Sequence, residues 1–76
     1  MLEVMRRRFG GSWDGEPPEI HGLVSMGREK AKVELMWVEV TGQWQCSVFR
    51  GGTVVSLEVG DEPVEVTAKA LAAALN

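Results

Sequence analysis

Between Gly60 and Pro63 the chain changes period, and this change limits the available folds more than any other feature. From Lys32 to Val59 apolar residues alternate as in strands; from Val64 to Leu75 they recur at helical spacing. The first stretch reads strand, turn, strand, turn, strand. In residues 33–40, Val33, Leu35 and Trp37 share one face, and Met36, Val38 and Val40 share the other. That pattern implies either a bulge near Met36–Val38 or a central strand covered on both faces. After a Thr41-Gly42 turn, residues 43–49 alternate, with Trp44, Cys46 and Val48 inward. Gly51-Gly52 is a two-residue hairpin signal, because both central positions of a type I′ turn need positive φ. Residues 53–59 form the next strand, with Val55, Leu57 and Val59 on one face.

The helix follows over residues 61–75, regular from about Glu62. Gly60 breaks the strand, Asp61 can cap, and Pro63 fits a first turn where its missing N–H costs nothing. Val64, Ala68, Leu71 and Leu75 make its apolar stripe, and the alanines supply helix propensity and permit close approach to a sheet. Residues 1–19 read as an N-terminal segment and loop: Leu2, Met5 and Phe9 fit a helical face, while Leu2 and Val4 also fit a short strand. Residues 10–18 (GGSWDGEPP) are rich in turn formers, and residues 20–26 read as a strand weakened by Gly22. The expected fold is α+β: one domain with an antiparallel meander of three to four strands over residues 20–59, covered by the C-terminal helix.

Size sharpens the demand on the core. A chain of 76 residues buries only about 60% of the surface that its unfolded form exposes. Small folds compensate with disulfides, a metal or self-association. Cys46 is the sole cysteine and His21 the sole histidine, too few for an internal disulfide or a closed zinc site, and homodimer formation stays open. The sequence gives no sign of a cofactor: neither Gly10-Gly11 nor Gly51-Gly52 is followed by the residues of a phosphate loop. It shows no secretory signal and no apolar run of membrane-spanning length, so a cytoplasmic location is expected.

Charge is uneven. Residues 1–32 carry six basic and five acidic side chains (+1), and residues 33–76 carry two basic and six acidic (−4), which together give the net −3. An acidic body opposes wrapping by nucleic acid. The basic charge concentrates in Arg6, Arg7 and Arg8, which can grip phosphates or a carboxylate-lined protein surface, with Phe9 and Trp13 adding stacking potential. A solvated, frayed terminus explains the arginines equally well. Trp13, set among Gly, Ser, Asp and Pro, is either a lid over the core or an interface anchor. Trp37 and Trp44 flank a turn and can pack as a cross-strand pair. No catalytic constellation is legible: His21 has only Glu19 near it, and Cys46 sits mid-strand among apolar residues.

Residues 32–75, and the Ala-rich stretch Thr67-Ala68-Lys69-Ala70-Leu71-Ala72-Ala73-Ala74-Leu75 above all, resemble the strand-strand-strand-helix half of a double-stranded RNA-binding domain. That family opens the helix with phosphate-binding lysines; here the stretch is Asp61-Glu62-Pro63-Val64-Glu65, which implies the architecture without the RNA chemistry. In size, in the Trp44-x-Cys46-x-Val48 strand and in the Gly60-Asp61-Glu62-Pro63 lead, the chain is also similar to small α+β proteins of bacteriophages and mobile elements, including anti-CRISPR and other anti-defence inhibitors. Such proteins occupy a surface of a host protein complex. The expectation is a non-enzymatic binding protein, an inhibitor of that type, contacting a protein partner through Arg6, Arg7, Arg8 and Trp13. The alternatives are a nucleic-acid-binding accessory protein using the arginines and a self-associating structural protein.

Overall fold

The computed structural model describes residues 1–75. Helix α1 (Leu2–Phe9) leads into five strands, β1 (Ser12–Glu16), β2 (Glu19–Met26), β3 (Glu29–Val38), β4 (Gln43–Arg50) and β5 (Thr53–Gly60), and helix α2 (Pro63–Ala74) ends the chain. The strands form one antiparallel meander in sequence order, so β1 and β5 are its edges. The α+β class holds, with one strand and one short helix more than the sequence reading supplied.

Alternation decides which face is covered. Ile20, Val24 and Met26 on β2, Ala31, Val33 and Leu35 on β3, and Cys46 and Val48 on β4 all point to one side. Both helices lie on that side. Met5 of α1 and Val66, Ala70 and Ala74 of α2 join the same buried cluster. The opposite face of the sheet has no cover among the described residues. Met36 and Val38 of β3 lie on it, which answers the two-sided pattern noted in the sequence: β3 has neither a bulge nor a second cover. Its strand ends at Val38, and Val40 lies in the following turn, 97% exposed. The irregularity sits instead between β4 and β5, where Val48 pairs Ser56, Phe49 pairs Val54, and Val55 is the extra residue. The Gly51-Gly52 turn has both φ values positive, 57° and 79°, as its sequence implies.

The segment expected to be a loop is a strand. Ser12–Glu16 pairs along its whole length with β2 despite its turn-forming composition, because α1 and the ring of Trp13 hold it down. Trp13 faces Gly22 across the pair, and a Cβ on Gly22 would lie 2.6 Å from the indole. Gly22 therefore does not weaken β2; it makes the seat for the ring.

Helix α2 begins where the sequence indicates, but its cap is Glu62 and not Asp61. The Glu62 carboxylate accepts from the Val64 and Glu65 amides, with 3.3 and 2.8 Å separations. Its buried stripe is also turned from the expected one. Val66, Thr67, Ala70 and Ala74 face the sheet, whereas Val64, Ala68 and Leu71 are half-buried and Leu75 is exposed. Small residues on the inner face let the helix come close to β4 and β5. Thr67 is tolerated there because its hydroxyl donates to the Pro63 carbonyl at 2.8 Å.

Candidate functional site

The three arginines occupy the last turn of α1, where positive charge suits the negative end of the helix. Their roles separate. Arg6 donates to the Trp13 carbonyl at 3.1 Å and so ties α1 to β1. Arg7 pairs with Glu3 one turn back at 2.8 Å, both side chains well exposed, a contact worth only about 0.3–0.5 kcal/mol. The Arg8 guanidinium lies 5.9 Å from the centre of the Phe9 ring and is otherwise free among the described residues.

Trp13 takes the lid role. It is 4% exposed, its indole N–H donates to the Gly10 carbonyl at 2.8 Å, and its ring stands 6.1 Å from that of Phe9. Buried in this way, its side chain is not available to anchor a partner. Of the four residues expected to make contact, Arg7 and Arg8 present their charge to solvent, Arg6 is partly committed to the fold, and Trp13 is wholly committed.

Beside Arg8 the two helices part. The gap is a cleft of about 330 Å³, bounded by Arg8 and Phe9 of α1, the end of β2 from Val24 to Gly27, and Leu71 and Leu75 at the end of α2. Its lining mixes the apolar Phe9, Val24, Met26, Leu71 and Leu75 with Ser25 and the cationic Arg8. The sequence reading missed this cleft, because Leu71 and Leu75 read as core. The signal was there: the helix carries more apolar positions than one sheet-facing stripe can absorb.

Cys46 is fully buried, and desolvation raises its thiol pKa to about 11, the neighbouring Thr67 hydroxyl acting against that rise and the Glu58 carboxylate adding to it. A thiol held protonated at neutral pH is a poor nucleophile. His21 lies on the open face with its nearest carboxylate, Glu19, 3.9 Å away. Among the described residues no three His, Cys, Asp or Glu side chains are grouped to hold a metal ion, and no helix is long and apolar enough to cross a membrane. Trp37 and Trp44 do meet as the expected cross-strand pair, their rings 5.6 Å apart and tilted by 63°.

The open face was also missed. Val54, Val55, Leu57 and Val59 of β5 are each between 42% and 55% exposed. Their alternation was legible as a strand face but was read without asking which face the helix covers. The covered positions of β5 are Ser56 and Glu58, polar in a strand otherwise built of valine, leucine, threonine and glycine. No family model, curated protein or solved structure gives a significant match to this chain.

Proposed function

We propose that this chain is a non-enzymatic binding protein that docks on another protein through the α1 end of the molecule. The observation that carries this reading is the open cleft between α1 and α2, where Phe9, Met26, Leu71 and Leu75 lie beside the cationic Arg8. Protein interfaces concentrate their binding energy in such places, where one apolar side chain enters a pocket and charged groups around it fix the orientation. The fitting partner presents an apolar side chain flanked by carboxylates, which Arg8 and the neighbouring Arg7 would meet. The acidic remainder of the chain disfavours a polyanionic partner across the whole surface. Blocking a host complex, as the phage-type inhibitors do, is the narrower form of this reading and rests on that resemblance alone.

Affinity capture with three baits tests it: the wild-type chain, Arg7→Glu/Arg8→Glu, and Leu71→Glu at the cleft wall. A protein retained by the wild type and lost from both variants is the expected result. Identical recovery by all three overturns the reading. Retention that disappears on nuclease treatment, with salt-dependent binding of a labelled oligonucleotide, would replace it with the nucleic-acid reading.

A further inference from the structure

A strand at the edge of a sheet offers a row of unpaired amides and carbonyls to any other strand, and folded proteins usually blunt such edges with lysine, proline, short length or a cover. β1 is blunted: it is five residues long, carries Asp14 and Glu16, and is held by α1. β5 is eight residues long, has neither lysine nor proline, and pairs on one side only, with β4. Its single charge, Glu58, points to the covered face, opposite Cys46. Its open-face residues from the bulge onward, Val55, Leu57 and Val59, are aliphatic and half exposed.

A second observation lies on the same strand. The Ser56 hydroxyl is buried, the residue being 8% exposed, and it has no hydrogen-bond partner among the described residues. Buried hydroxyls are almost always satisfied, by protein groups or by ordered water, and a strand laid along this edge is one source of a partner.

We propose that β5 pairs antiparallel with β5 of a second copy of this chain, joining the two sheets across a two-fold axis at Leu57. Chain symmetry and charge select this arrangement. Around a two-fold axis normal to the sheet, residues facing each other must be of the same parity, so the axis passes a residue and not a gap. The regular part of β5 runs from Ser56 to Gly60, so the central candidates are Glu58 and, with the bulge residue Val55 drawn into the pairing, Leu57. Centring on Glu58 sets two carboxylates directly opposite each other, an unfavourable pair. Centring on Leu57 sets Leu57 against its own counterpart and Val55 against Val59, which brings six aliphatic side chains into lateral contact on the open face. On the other face it sets Ser56 opposite Glu58 of the second copy, a carboxylate to accept the orphan hydroxyl. Such a contact is isologous and closes at two copies. A strand carrying charge on its outer face would set that charge directly beside the valines, whereas the chain's own β5 brings none there. This inference does not depend on what the α1 cleft binds.

Sedimentation velocity of the chain over a range from micromolar to near-millimolar concentration tests the pairing. The wild type should shift from monomer to dimer with rising concentration. Leu57→Lys should remain monomeric with an unchanged circular dichroism spectrum, since its side chain is half exposed in the monomer. Leu23→Lys, on the same open face but on β2, should dimerise as the wild type does. A wild type monomeric throughout overturns the proposal, as does a dimer that ignores Leu57→Lys or one that Leu23→Lys abolishes equally. Register is read separately by oxidation. Leu57→Cys should cross-link to itself, whereas Val59→Cys should cross-link only when mixed with Val55→Cys. Self-linkage of Glu58→Cys in place of Leu57→Cys would refute the Leu57-centred register.

Discussion

The two edges of the sheet meet the same problem with opposite outcomes. β1 is made mostly of residues that disfavour strands, yet it is held by β2 along its length, by α1, and by Trp13 pressed into the space that Gly22 leaves. β5 is composed of good strand formers, yet its outer side and its open face are bare. Strand propensity and strand protection are therefore separate properties here. The poor sequence is protected by tertiary contacts, and the good sequence stays available.

The contrast can be broken most forcefully at the β1 edge. Trp13→Ala removes the largest lid of the core together with its hydrogen bond to Gly10, and should cost about 3–5 kcal/mol of stability in urea unfolding. A loss below about 1 kcal/mol would mean that β1 is held by its ladder alone. On the β5 side, the buried Cys46 thiol supplies a pH probe. Its folded pKa, about 11, lies above the unfolded value of 9.0, so the stability it contributes is complete below pH 9 and is lost as the pH rises through 11. The span corresponds to about 2–3 kcal/mol. The unfolding midpoint should fall over that window in the wild type and fall less in Cys46→Ala.

Gly22→Ala forces a methyl against the indole ring and should cost about 1–3 kcal/mol by overpacking, with Trp13 fluorescence shifted to the red as the ring lifts. At the other edge, Leu57→Thr should change monomer stability by less than about 0.5 kcal/mol, since the residue touches mainly solvent when the chain is dilute. A large effect in dilute solution would show that the β5 face is already covered within one chain, and the contrast between the edges would fail.

The meander from β3 to β5 and the helix behind it were legible because two periods, one of 2 and one near 3.6, meet at Gly60-Asp61-Glu62-Pro63. The Gly51-Gly52 turn was legible for a steric reason that no tertiary contact alters. β1 was not, because within residues 12–16 only Trp13 favours a strand; its partners Gly22 and α1 lie elsewhere in the chain. The inward stripe of α2 was misread because alanine and threonine carry little hydrophobic weight yet suit a close helix–sheet approach better than leucine does. At the candidate site, Arg6, Arg7 and Arg8 stood out as charge. The commitment of Arg6 and Trp13 to each other through a carbonyl could be seen only once β1 was in place.

In this sheet the order of strands is the order of synthesis. Each strand docks on the one just made, so the closing loops are short and the search should be fast, as low contact order predicts. Every such step is the same event, a new strand capturing the most recent edge. After β5 the chain turns into a helix, and no sixth strand follows among the described residues. Its edge remains a growth point of the kind each earlier strand offered its successor, and in the proposed pair the strand that takes it is β5 of the second copy.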